Sequence, residues 1–170
     1  MSALKHRKIY QRIEKLVDEL TGGELELVRT ELVANLASPE LSLQEYAERV
    51  AAMWSNHLNV DRIFMCDAKN GDVVVGWNRG KNIIKLSDWD PDYVPLEDDK
   101  VLQEALEGNE LVAAAVEGEG ADLAFSIRFA NNGHWLAVLD DTTQARYFTH
   151  MEMAHIRLGR DLIALKSAIG

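Results

Sequence analysis

The side chains of this 170-residue sequence that could do chemistry come in a few sets. Asp140 and Asp141 are adjacent carboxylates at the end of the apolar run from Trp135 to Leu139, ahead of a segment carrying His150 and His155. Two carboxylates can act as general acid and general base only if both reach one substrate. Neighbours on an extended chain point to opposite faces, so this pair reads as the place where a strand ends. His150 and His155 are five apart, which on a helix lacks the i, i+4 spacing of a metal-binding pair. Asp88, Asp90, Asp92 and Asp99 approach the spacing of a calcium loop, but Tyr93 stands where glycine is required, and Pro91 and Pro95 stiffen the stretch. No metal is expected. The sole cysteine, Cys66, lies between Met65 and Asp67 on an apolar segment and reads as a small core residue rather than a reactive thiol.

The segment LAFSIRF alternates. Leu123, Phe125, Ile127 and Phe129 share one face of a strand, and Ala124, Ser126 and Arg128 share the other. The second face could be a ligand floor on which Arg128 grips a carboxylate or phosphate, or Arg128 could sit near a sheet edge and face water. Trp77, Trp89 and Tyr93 flank or occupy the irregular stretch KNIIKLSDWDPDYVP, where aromatic rings could clamp a planar ligand or plug a cavity.

Elements must position these groups. With 47% apolar and 27% charged residues, the chain has the composition of an ordinary globular protein. Acids crowd between Lys85 and Asp122, opposed only by Lys85 and Lys100, so the middle third accounts for the net charge of -10. Such a surface repels phosphates and argues against nucleic acid as a partner. A single cysteine rules out an intramolecular disulfide. There is no apolar run of membrane-spanning length, and the start MSALKHRKIYQRIEK lacks the apolar core of a signal peptide, so a cytoplasmic protein away from membranes is expected.

Ile9, Ile13, Leu16 and Leu20 fall on one helical seam, broken at TGG, and a second helix is expected from about Glu24 to Leu36, burying Leu25, Val28, Leu32 and Leu36. Residues 1–40 thus form a helical preface, and 41–170 the main domain. Ser42 and Glu45 spell a capping box, with Leu41 and Tyr46 as its staple, for a helix burying Leu43, Ala47, Val50 and Trp54. After Leu58 the period becomes two, and Lys69, Asn70 and Gly71 mark a hairpin. Two prolines and three aspartates exclude a central strand from the next stretch. A short helix follows in EDDKVLQEALEGN, with Gly108 as its stop, then a hairpin of ELVAAAV and LAFSIRF. A turn at Asn131, Asn132 and Gly133 leads into HWLAVLDD, whose two apolar faces require cover on both sides. Thr149 and Glu152 form a second capping box, with Phe148 and Met153 as staple, and start a last helix at about His150.

This order resembles a GAF domain, a small-molecule sensor module of the PAS-like class. SLQEYAERVAAMWSNHLNVDRIFMCDA is similar to that family's first helix and strand, VPLEDDKVLQEALEGNELV to its middle helix, and GHWLAVLDDTTQARYFTHMEMAHIRLGRDLIALKSA to its final strand and helix. The resemblance covers about Leu41 to Ala168. It implies an α+β fold, a GAF/PAS-like central antiparallel sheet with first and last helices on one face, and a long loop with a short helix roofing a pocket on the other. The signature of the cyclic-nucleotide binders is missing, since the nearest position reads NRGKNIIKL. Cys66 does not match a bilin-attaching cysteine, and one thiol cannot close the disulfide of the family's methionine sulfoxide reductases. No enzymatic activity and no cofactor are expected.

The expected function is a non-enzymatic sensory or regulatory domain that binds a small molecule through Trp77, Trp89, Tyr93, Ser126 and Arg128. The alternative is a ligand-free dimerisation scaffold. A DNA-associated regulator ranks third, because SPELSLQEYAERV resembles the opening of a helix-turn-helix but runs into a strand where a recognition helix belongs. A homodimer is expected through a coiled-coil seam of Ile9, Ile13, Leu16 and Leu20 with Met151, His155, Leu158, Leu162 and Leu165.

Overall fold

The structure, a computed structural model, describes residues 29–78, 81–82, 99–114, 121–140 and 147–169. Residues 29–34 are helical and bury Leu32, with Leu36 buried just beyond; the rest of the expected preface lies outside the described residues. Helix α1 spans Leu43–Leu58 and begins where the capping box predicts: the Ser42 hydroxyl accepts from the Glu45 amide at 3.1 Å. Leu41 and Tyr46 are both buried, as a staple requires, and the Tyr46 hydroxyl reaches back to donate to the Leu32 carbonyl at 2.8 Å. Tyr46 thus joins Ala47, Val50 and Trp54 on the buried face, and Leu43 packs, partly buried, against the same core. The helix ends at Asn59, which adopts the left-handed conformation at φ 55°.

Among the described residues six strands form one antiparallel sheet: β1 Arg62–Asp67, β2 Val73–Asn78, β3 Lys81–Asn82, β4 Val112–Ala113, β5 Leu123–Arg128 and β6 His134–Asp140, in the order β3-β2-β1-β6-β5-β4. The hairpin between β1 and β2 turns at Gly71 with φ 77°, and Asp67 steadies it by accepting from the Lys69 and Asn70 amides. Asn132 takes φ 69° in the turn between β5 and β6, which is closed by the Phe129 amide on the Gly133 carbonyl. Lys81 and Asn82 open the stretch read from sequence as a loop, and pair with β2 as a short edge strand.

The two faces of the sheet are covered by different helices. Helix α2, Lys100–Glu107, packs on one, and α1 packs on the other with α3, His150–Ile169. The reciprocal bonds of the second capping box start α3: the Thr149 amide donates to Glu152 at 2.9 Å, and the Glu152 amide to the Thr149 hydroxyl at 3.0 Å. Residues opposite one another on paired strands share a face. Ile63, Met65, Leu123, Phe125, Ile127, Ala137 and Leu139 join the larger core with α1 and α3, while Phe64, Cys66, Ala124, Leu136 and Val138 join Val101, Leu102 and Ala105 of α2 in a smaller one. Gly159 lets α3 approach α1 so closely that a Cβ there would lie 2.6 Å from the Trp54 ring and 2.7 Å from a Val50 methyl. No helix among the described residues is long and apolar enough to cross a membrane.

Candidate functional site

The chemically distinctive side chains collect on the α2 face. Ser126 on β5 is buried, and its hydroxyl donates to the Ala105 carbonyl at 2.6 Å. That hydroxyl is also 2.7 Å from Nε2 of His134 on β6. A serine has one proton, here given to Ala105, so His134 is the donor in the second contact and carries its hydrogen on Nε2. This polarity is the reverse of a nucleophile activated by a base, in which imidazole accepts the hydroxyl proton. Burial first, then the Arg128 guanidinium, hold the His134 ring below its ordinary pKa against the opposing pull of Asp67. The pair is a neutral tie between the sheet and α2.

Arg128 lies beside this tie. Its Nε donates to the Asn109 side chain at 3.0 Å, and Nη2 donates to the carbonyls of Leu106 at 2.8 Å and Gly108 at 3.3 Å. These are carbonyls that a helix end leaves without partners, and a cation there also favours the negative end of the helix dipole. Gly108, the sequence's stop signal, is extended at φ -102° rather than left-handed, and its amide donates to the Glu104 carbonyl. From the other side of the sheet, Arg160 of α3 donates to the Asn109 carbonyl at 3.0 Å. Asn109 is therefore held by the sheet, through Arg128 of β5, and by α3, through Arg160.

The opposite end of α2 is held by acids. Asp99 is its N-cap and accepts from the amides of Val101 at 2.9 Å and Leu102 at 3.2 Å through Oδ1, and from Ala121 at 3.0 Å through Oδ2. The calcium-loop comparison is thus resolved for Asp99, which caps a helix; Asp88, Asp90 and Asp92 lie outside the described residues. The next amide, Asp122, donates to Asp140 at 2.9 Å, and Asp140 pairs with Arg62 across the sheet at 3.7 Å. The Asp140 carboxyl is pushed up to about 7, chiefly by burial and also by the Asp122 and Asp99 charges, against the opposing pull of the Asp122 amide and Arg62. Among the described residues no group of three acids, histidines or cysteines could hold a metal ion.

Of the five ligand residues expected from sequence, the structure brings together Ser126 and Arg128. Trp77 is on the other face: it pairs with Ile63 across β1 and β2, packs against the larger core, and donates from Nε1 to the Ser55 hydroxyl of α1 at 3.0 Å. Trp77 therefore does not line the α2 face. Trp89 and Tyr93 lie outside the described residues, as do Ile9, Ile13, Leu16 and Leu20 of the expected dimer seam. On α3, Leu162 is buried in the core alongside Ile156, Gly159 and Ile163, whereas Leu165 is 46% exposed; Met151, His155 and Leu158 are intermediate. Hollows of about 220 and 320 Å³ occur in the helical layer, the first beside Leu32, Arg49 and His57 and the second beside Ser42, Lys166 and Ser167; neither reaches Ser126 or Arg128. Sequence reasoning passed over His134, Asn109 and Arg160. His134 was within reach of it, since the turn at 129–133 sets Arg128 opposite His134.

No protein-family model matches the chain, and no curated protein matches it. Solved structures do. A segment of a methyl-accepting chemotaxis protein superposes with a TM-score of 0.54 at 12% identity, over 82% of this chain and 93% of that one. The GAF domain of a phosphoenolpyruvate-protein phosphotransferase from Coxiella burnetii gives 0.53 at 14% identity, over 82% and 90%. The corresponding domain from Acinetobacter gives 0.53 at 15% identity, over 85% and 94%. The chain has a GAF-type fold. Within that GAF-type fold, the α2 face carries the polar ties described above, and the α1 and α3 face is sealed by the larger core.

Proposed function

We propose that the chain is a cytoplasmic sensory or regulatory module without catalysis of its own, which binds a small molecule on the α2 face and signals through a homodimer of its terminal helices. The observation that carries this reading is the way α2 is mounted. It is an eight-residue helix, too short to be stable alone, held over a small apolar patch by side-chain bonds at its two ends. An anionic group binding Arg128 would compete with the Leu106, Gly108 and Asn109 oxygens and so release the end of α2. The similarity to GAF domains of signalling proteins supports the same reading. Exposed Leu165 and Ile169 on α3 support a helical dimer contact.

One observation favours the ligand-free scaffold as a second reading: Ser126 and Arg128 already have partners within the chain. A thermal-shift screen of metabolites separates the two. A ligand at a hundred times its dissociation constant adds about 2.7 kcal/mol, a rise of roughly 5 to 10 °C for a chain of this length, and Arg128→Ala should abolish it. A screen that shifts nothing, with the dimer intact by light scattering, selects the scaffold. Leu165→Glu with Ile169→Glu should yield a folded monomer; a monomeric parent chain would overturn the dimer in both readings.

A further inference from the structure

Between α2 and the edge strand β4 the chain is held from both faces of the sheet. Leu106 packs against the smaller core on the α2 face, and Leu111, five residues on, packs against the larger core of α1 and α3. Asn109 lies between them, exposed, with a guanidinium on either side. On the α2 face Arg128 donates to its side-chain oxygen and to the Leu106 and Gly108 carbonyls. From the other face Arg160 of α3 donates to its main-chain carbonyl, while the Arg160 Nε bonds to Asp161 on its own helix. Asn109 is thus where α3 grips this segment. Arg160 directly follows Gly159, the residue at which α3 lies against Trp54 and Val50 of α1.

We propose that residues 106–111 are a strap that couples the seating of α2 to α3, with Asn109 as its joint. The planar Arg128 guanidinium holds the Asn109 side chain and the end of α2 in one geometry, so these groups shift together. When Arg128 lets go of them, Arg160 loses the fixed carbonyl that it holds, beside the crossing of α1 and α3. When Arg160 lets go, the strap slackens and α2 opens more often, because coupling of this kind is reciprocal. An eight-residue helix has little stability of its own, so one hydrogen bond is enough to change how often it opens. The strap rests on the reading of the α2 face as the ligand site only for what sets it moving; the coupling belongs to the ligand-free chain.

Amide hydrogen exchange and NMR of the full chain without ligand test the strap. Arg160→Met, a change on α3, should speed exchange of the Gln103 and Gly108 amides, bonded to the Asp99 and Glu104 carbonyls of α2, by roughly threefold to tenfold, the effect of one lost hydrogen bond. Arg157→Met removes the same charge from an exposed position on α3 and should leave both amides unchanged. The Gly71 amide, bonded to the Asp67 carbonyl in the hairpin of β1 and β2, should keep its protection in every variant. Arg128→Met should speed the same two α2 amides, and Arg160→Met added to it should bring less than its separate effect, because either loss slackens the same strap. In the reverse direction, Arg128→Met should shift the Arg160 Nε–H resonance and leave that of Arg157 in place. The thermal-shift screen decides separately whether an anion binds Arg128, so failure of the strap and failure of that reading are told apart. Unchanged α2 exchange in Arg160→Met, an equal effect of Arg157→Met, an equal rise at Gly71, effects that multiply in the double variant, or an Arg160 resonance unmoved by Arg128→Met would each overturn the strap.

Discussion

Replacing Gly159 by alanine should destabilise the protein although alanine is the better helix former. A Cβ at this position would lie 2.6 Å from the Trp54 ring, 2.7 Å from a Val50 methyl and 3.0 Å from a second Trp54 atom, where carbon atoms settle at about 3.5 to 4.0 Å. Something must move by about 1 Å, and neither neighbour is loose. Trp54 is fully buried and set edge-on against Phe125 at 5.9 Å between ring centres, and Val50 is also fully buried. Overpacking of this kind costs about 1 to 3 kcal/mol, against about 1 kcal/mol gained in helix propensity. Contacts this short put the cost at the upper end of that range, so the net loss should approach about 2 kcal/mol, a fall in melting temperature of roughly 4 to 8 °C for a chain of this length. Gly108→Ala is the control: the added Cβ would meet only the Glu104 carbonyl at 3.5 Å and the Glu110 amide at 4.0 Å, so stability should change by less than about 0.5 kcal/mol. Denaturant melts of both variants and of Val50→Ala with Gly159→Ala complete the test, the double variant recovering part of the loss. A Gly159→Ala protein as stable as its parent would show that α1 and α3 do not cross this closely.

Asp140, with a carboxyl raised from 3.8 to about 7 by burial, binds its proton more tightly when folded, so its contribution to stability is full below about pH 4 and lost as pH rises through 7. The stability difference between the parent and Asp140→Asn should therefore move against the parent by up to roughly 4 kcal/mol between pH 4 and 8; a difference constant with pH would refute the assignment. Asp99→Ala removes a buried acceptor of three amides and should cost about 2 to 3 kcal/mol in urea melts, with Asp99→Asn restoring part of it. The Cys66 thiol is 6% exposed and pushed up to about 11 by burial and then by Asp67, so a thiol reagent at pH 8 should label it only in denaturant; rapid labelling of the folded protein would contradict its placement. Lys166, 3% exposed, donates to the Leu36 and Ser38 carbonyls at 3.0 and 2.7 Å, so Lys166→Met should expose residues 29–38 to limited proteolysis while the sheet stays protected.

Both capping boxes, the hairpin at Gly71 and the alternation along β5 and β6 could be read from the chain because each depends on residues within a few positions of one another. Their order was sufficient to expect the GAF-type arrangement, and the doubly apolar β6 to expect helices on both faces of the sheet. The use of individual side chains depended on contacts remote in sequence. Trp77 reads equally well as part of a roof or of a core, and only its register opposite Ile63 and the nearby Ser55 hydroxyl assign it to the core. Arg128 meets carbonyls some twenty residues earlier, Asp140 meets an amide 18 residues earlier, and Lys166 reaches back across 128 positions to Ser38. Gly159 passes for an unremarkable small residue in the sequence until α1 lies against it. Local patterns are set by backbone geometry and need no partner. The direction of a hydrogen bond, the charge state of a carboxylate and the need for a missing methyl group are set by whatever packing brings alongside, so tertiary structure alone decided them.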